Sequence, residues 1–137
     1  MHMNLDHIAI LVRDTEEALS FYRDQLGLKV KASESFEQTK VRLTHLDLGN
    51  VELQLVEPLS NDHPLKSYLD EHGEGLHHLC LKMPDLDAAA SGFAERGIGL
   101  KASTPHPAVN GKKALFLNPD DTRGVIWEMT NIQKSNP

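Results

Sequence analysis

Gly75-Leu76-His77-His78-Leu79-Cys80-Leu81-Lys82-Met83 is the stretch on which the fold turns. It reads as a strand, and a shorter echo lies near the N-terminus in Leu5-Asp6-His7-Ile8-Ala9-Ile10-Leu11-Val12. In both, a histidine opens an apolar run that leads through Pro84-Asp85 or Arg13-Asp14 into an alanine-bearing helical pattern. His7 and His78, Asp14 and Asp85, and Ala18 and Ala89 are each 71 positions apart. A constant offset over that span argues for an internal duplication, which frames every later element.

Around the first echo, residues 5–12 are apolar and β-branched enough for a strand buried on both faces. Asp14 or Thr15 supplies an N-cap, and Glu16 and Glu17 sit in the first turn, where the helix dipole favours carboxylates. Ala18, Leu19, Phe21, Tyr22 and Leu26 give the apolar face of a helix that Gly27 ends. Leu28-Lys29-Val30 begins a second strand, and polar Ser33–Thr39 reads as a loop. Val41–Leu48 alternates as a strand with one wet face. Gly49-Asn50 is a turn signal, and a strand over Val51–Glu57 stops at Pro58.

Residues 59–73 form a connector with a short helix over Leu65–Glu71. The plan then repeats, with a strand over 76–83 and a helix over 85–96. Asp85 caps that helix, Leu86, Ala89, Ala90 and Phe93 face inward, and Gly97 stops it. Strands follow near 98–102, 112–117 and 124–130, broken by the proline-rich stretch 104–110 and the turn Asn118-Pro119-Asp120-Asp121. The tail from Gln133 is polar. The reading is α+β, with two β-α-β-β-β modules at about 4–58 and 75–131 within one domain over 4–131, and a tail over 132–137.

Composition narrows the function. A chain of 137 residues holds one compact domain with a real core. A formal charge of -6 argues against a nucleic-acid surface. One cysteine excludes an internal disulfide and gives no zinc-finger spacing. No apolar run approaches the roughly 20 residues of a membrane span, and no signal-peptide pattern precedes the first strand. The expectation is a soluble, cytoplasmic protein with no membrane partner.

Side chains alternate across a strand, so each strand has two rows. Ile8, Ile10 and Val12 oppose His7, Ala9 and Leu11; Val51, Leu53 and Leu55 oppose Glu52, Gln54 and Val56. Leu79, Leu81 and Met83 oppose His78, Cys80 and Lys82; Val125, Trp127 and Met129 oppose Ile126, Glu128 and Thr130. Each strand therefore has one apolar row suited to a helix. Each also sets one strong metal-ligand type, His7, Gln54, His78 or Glu128, on the other row. If the two halves curl into one shared cup, these four side chains converge as a mixed nitrogen and oxygen set. Such a set suits an octahedral Co, Mn, Ni or Fe ion, with Mg or Zn as less fitting choices, and leaves two positions for water or substrate oxygens. Taken singly, a histidine on an apolar strand is more often a hydrogen-bonded core residue, and Gln54 or Glu128 says little. The repeat is what joins them. His77 lies on the apolar row and is a neighbour, and Cys80 is better read as small buried packing.

Asp6-His7-Ile8-Ala9-Ile10, with Phe21-Tyr22 before Leu26-Gly27, resembles the vicinal oxygen chelate superfamily, which includes glyoxalase I. Three further stretches resemble its methylmalonyl-CoA epimerase family. They are Leu48-Gly49-Asn50 through Gln54-Leu55-Val56-Glu57-Pro58-Leu59, then Gly75 through Cys80, then Asn110-Gly111-Lys112-Lys113 through Phe116-Leu117-Asn118-Pro119 and Gly124-Val125-Ile126-Trp127-Glu128. The resemblance covers about residues 4–131. It implies two βαβββ modules forming an incomplete barrel-like cup, a homodimer, and a divalent ion, with Co2+ preferred and Mn2+, Ni2+, Zn2+ or Mg2+ as alternatives. Its metal ligands fall on His7, Gln54, His78 and Glu128. One departure is local: the sequence runs Glu37-Gln38-Thr39-Lys40-Val41-Arg42-Leu43, with no Gly before Val41 and no carboxylate shortly after it, where some members carry an acid.

The chemistry that this implies is epimerisation of an acyl-CoA thioester. Charge developing on the enolate oxygen is stabilised by the ion, and racemisation needs a base on one face of Cα and an acid on the other. Glu128 is the better candidate for one proton-carrying role and Glu37 the weaker candidate for the other, with Glu52 or a metal-bound water as alternatives. Lys40, Arg42, Lys112, Lys113 and Arg123 are available to the CoA phosphates, although solvated surface charge is the plainer reading. A glyoxalase I-type isomerase uses the same site on a hemithioacetal. A metal-free small-molecule-binding protein on the same fold is the third reading, and it predicts apolar or aromatic residues at the four ligand positions.

Overall fold

The computed structural model describes residues 3–101, 106–107 and 112–132. Its contacts gather into two compact units, one of His7–His77 and one that runs from His78 onward and takes in the chain start through Asp6.

The first unit is built on β1 (Asn4–Leu11, its first three residues belonging to the second unit), β2 (Lys29–Phe36), β3 (Val41–Asp47) and β4 (Glu52–Pro58), in the order β2-β3-β4-β1. β1 and β4 are parallel, and β3 is antiparallel to both β2 and β4. The crossover is α1 (Thr15–Leu19), capped by Asp14, whose carboxylate accepts from the Glu17 N–H at 3.0 Å. This cap satisfies one of the free donors of the first turn. The helix then widens into a π-helical turn over Ser20–Gln25, closed by the Leu26 N–H on the Phe21 carbonyl at 2.7 Å. Gly27 ends it with φ +87°. The wider turn corrects the expected helical face. Leu19 is buried and Ala18 and Tyr22 pack on the core, but Phe21 and Leu26 stay exposed, because an i→i+5 turn rotates them off the 3.6-residue stripe.

Ser33–Thr39 is also not wholly a loop. Residues 33–36 complete β2, and only residues 37–40 turn. β2 is the edge strand of its unit, so its polar side chains face water while the backbone pairs with β3. After β4, α2 (Pro64–His72) begins with proline in its first turn, and His63 caps it through Nδ1, which accepts from the Leu65 N–H at 3.0 Å.

In the second unit, β5 (Gly75–Met83), whose first three residues belong to the first unit, is followed by α3 (Leu86–Glu95). The Asp85 carboxylate caps α3 by accepting from the Ala88 N–H at 3.0 Å. β6 (His106–Pro107), β7 (Lys113–Phe116) and β8 (Trp127–Asn131) complete the order β5-β8-β7-β6. β5 and β8 are parallel, and β7 is antiparallel to both β6 and β8. The strand expected near 98–102 is reduced, over its described part, to a single bridge between Leu100 and Leu117. The Gly99 N–H there turns to the Asp121 carboxylate at 2.9 Å instead of joining a ladder. β8 starts at Trp127, which leaves Val125 exposed and outside the expected row. The stretch 104–110, apart from residues 106–107, and the tail from Gln133 lie outside the described residues.

Each unit is thus βαβββ with the same strand directions, and the fold class is α+β as expected. Each has its own core on the helix side of its strands. Ile10, Leu46, Leu53 and Leu55 pack with Leu19, and Met83, Leu115 and Met129 pack with Leu86, Ala89 and Phe93. Leu115 has no exposed surface. Leu115→Ala is therefore expected to lower the unfolding free energy by about 2–5 kcal/mol in urea titration. A change below about 1 kcal/mol would mean that this core closes up around the lost side chain.

Candidate active site

The strand registers place the expected ligands. In the first unit Gln54 is the register partner of Ala9, and His7 stands two residues before Ala9 on the same row. In the second unit Glu128 is the register partner of Cys80, and His78 stands two residues before Cys80 on the same row. Both units therefore use one rule: a histidine on the first strand and an oxygen donor on the parallel neighbour, offset by one pleat. The row opposite in each unit is the core row that packs on the helix. His7 and Gln54 are each 8% exposed.

In the second unit the approach is close. His78 Nε2 lies 3.5 Å from Glu128 Oε1, with the side chains 9% and 17% exposed. That exceeds an ordinary N–H···O distance and is near the roughly 3.0–3.4 Å between two donors that share an ion at about 2.1 Å. Phe116, the register partner of Glu128 on β7, meets the His78 ring edge-on with centroids 5.7 Å apart. The donor chemistry of the four residues fits a borderline divalent ion: two imidazoles, one amide oxygen and one carboxylate.

Cys80, the register partner of Glu128 and two residues after His78 on its row, is wholly buried. Burial, with the Glu128 carboxylate beside it, pushes its thiol far above the ordinary range, so the sulfur stays protonated. His77 stays on the other row and packs edge-on against Tyr68 at 4.7 Å.

Glu37 is placed differently. It is exposed in the turn after β2 and lines a pocket of about 410 Å³ with Ser35, Phe36, Lys40, Leu59 and Ser60. That turn lies beyond the Val41–Pro58 pair, four positions along β4 from Gln54, or about 13 Å of strand. It does not share a row with Gln54. Of the cations, Arg42 is engaged on the helix side, donating to Ser33 Oγ at 3.0 Å and Glu16 at 2.8 Å. Lys40, Lys113 and Arg123 are exposed and Lys112 is half-buried.

Sequence reasoning missed one group on the Gln54 row. His45, the register partner of Gln54 on β3, has Nδ1 2.9 Å from Glu52 Oε2, and Glu52 Oε1 accepts from Lys31 Nζ at 2.8 Å. Burial raises the Glu52 carboxyl, but the hydrogen bonds from Lys31 and His45 outweigh it and hold the group below its ordinary value. The available signal was alternation in Val41–Asp47, which sets His45 on the row of Leu43 and Asp47.

The chain as a whole is similar to known proteins. The family model described as Glyoxalase/Bleomycin resistance protein/Dioxygenase superfamily matches residues 6–116. The mitochondrial methylmalonyl-CoA epimerase of Mus musculus is 32% identical over 91% of this chain and 71% of its own length. The ethylmalonyl-CoA/methylmalonyl-CoA epimerase of Cereibacter sphaeroides is 32% identical over 93% of this chain and 97% of its own. A solved methylmalonyl-CoA epimerase, in complex with methylmalonyl-CoA and NH4+, superposes with a TM-score of 0.84 at 31% identity, covering 96% and 95% of the two chains. The chain belongs to the glyoxalase/bleomycin resistance/dioxygenase superfamily. Within it the chain is a member of the methylmalonyl-CoA epimerase family, and so an isomerase of the racemase and epimerase class.

The buried thiol gives a direct check on this geometry. Cys80 is expected to resist iodoacetamide at pH 8 in the native protein and to label fully in denaturant, measured by mass spectrometry. Rapid native labelling would place the sulfur at an open surface.

Proposed function

We propose that the chain is a metal-dependent epimerase that interconverts (R)- and (S)-methylmalonyl-CoA by moving the Cα proton. His7, Gln54, His78 and Glu128 would hold a divalent ion, with Co2+ preferred over Mn2+, Ni2+, Zn2+ or Mg2+, and residues 4–131 act as one domain. The observation that carries this reading is the repeated register: Gln54 against Ala9 beside His7, and Glu128 against Cys80 beside His78. A chance pair of buried histidines has no reason to recur with an oxygen donor at the same offset. The likeness to acyl-CoA epimerases supplies the substrate class.

When bound, such an ion supplies Lewis-acid chemistry that draws charge from a carbonyl oxygen and acidifies the neighbouring C–H. The chain's own groups do the rest. Glu128 offers a carboxylate that takes a proton from one face of Cα and returns it. Trp127 and Met129, on the helix side of β8, fix the strand so that Glu128 keeps its row. The neutral Cys80 thiol adds no competing charge beside Glu128. Exposed Lys40, Lys113 and Arg123 stand ready for the phosphates of the CoA handle. A cytoplasmic location is part of the same proposal, and a homodimer is added to it by likeness to the family. No described helix is long and apolar enough to cross a membrane.

Proton NMR of methylmalonyl-CoA in deuterated water tests the proposal. Chelated enzyme is expected to leave the Cα proton signal intact, and restored cobalt to remove it at catalytic enzyme levels. His78→Ala is expected to lower kcat/KM by about 100-fold or more, beyond the usual 10–100-fold cost of losing an outer partner of a metal site. No exchange with cobalt, manganese or nickel would sink the substrate assignment.

A further inference from the structure

An epimerase must handle protons on both faces of a planar enolate, and Glu128 serves one of them. On the row of Gln54, Leu43 is apolar and buried and offers no proton-transfer group. One position further along β3, on the same row, stands His45.

The repeat gives this position its meaning. His45 pairs with Gln54 as Phe116 pairs with Glu128. In the second unit that place holds a ring packed against His78. In the first it holds an imidazole, 25% exposed, tied through Nδ1 to the 28% exposed Glu52. Glu52 shares this row as the register partner of His7. Lys31 reaches Glu52 from the β-bulge between Val30 and Ala32, a device that re-aims a side chain. A carboxylate that accepts from Nδ1–H leaves the lone pair on Nε2, so the ring is presented as a proton acceptor.

We propose that His45 is the second proton-transfer residue of the reaction, with Glu52 and Lys31 as the residues that position it. The inference rests on the epimerase reading. From one epimer, His45 Nε2 takes the Cα proton, and the C–H electron pair moves into the enolate. A protonated Glu128 then donates to the other face, forming the new C–H bond and becoming ionised. The other epimer runs the same steps in reverse, and exchange with water resets both groups.

The test uses the cobalt-loaded protein, each epimer of methylmalonyl-CoA separately, and proton NMR in deuterated water. The wild type is expected to exchange the Cα proton of both epimers. His45→Gln is expected to keep exchange from one epimer while exchange from the other, and interconversion, fall by about 100-fold or more. His45→Ala is expected to show the same one-sided loss, partly restored by added imidazole. A structural role would lower both exchanges together, so equal losses or none overturn the proposal. So does one-sided loss in Glu37→Gln but not in His45→Gln, which would assign the role to the β2–β3 turn. A readout without metal is the 15N spectrum of the wild-type imidazoles at alkaline pH. His45 is expected as the Nδ1–H tautomer, and the Nε2–H tautomer overturns the geometry. A wild type inert toward both epimers overturns the epimerase reading and this inference with it.

Discussion

The two-residue alternation of the strands, pinned on one side by a helix, is the constraint on which the structure depends. In each unit one row of every central strand is committed to a helix-packed core, where Leu46, Leu55 and Leu115 have no exposed surface. A slip of one residue would move that entire row to the other face and bury His7 or His78 against Leu19 or Phe93. Losing even one such leucine costs about 2–5 kcal/mol, a large part of the 5–15 kcal/mol that holds a domain together. Apolar packing therefore sets the address of the polar groups. The histidines do not need to stabilise anything to be held in place.

The polar groups on the open rows are arranged in matched sets. In the first unit Glu52 gathers Lys31 and His45 on the open row, while on the helix side Glu57 receives the Thr15 N–H at 2.9 Å and its hydroxyl at 2.6 Å at the start of α1. A carboxylate at a helix N-terminus is favoured by the dipole, so Glu57 has a structural task. In the second unit Glu128 faces His78, with a neutral thiol behind it. The duplication has kept the register and let the neighbours diverge: Phe116 and His45 occupy the same place and bring different chemistry.

Much of this was legible in the chain itself. The 71-residue offset exposed the duplication, because a repeated strand and its following cap must sit at one spacing to rebuild one supersecondary unit. Row alternation then placed His7, Gln54, His78 and Glu128 on the rows that the registers show. Other features escaped. Polar Ser33–Phe36 forms an edge strand because its partner β3 supplies the ladder, which local composition does not reveal. The π-helical turn that frees Phe21 and Leu26 is a one-residue shift in hydrogen bonding with no compositional mark. His45 was passed over because it has no histidine counterpart in the repeat, and its partners Glu52 and Lys31 come from other strands.

X-ray absorption at the cobalt edge on the loaded protein tests most directly the proposal that two copies of one strand register supply a single ion. One ion per chain is expected, bound by two imidazole nitrogens with the remaining donors oxygen and no sulfur. A sulfur scatterer, a shell without two imidazoles, or two ions per chain would contradict it.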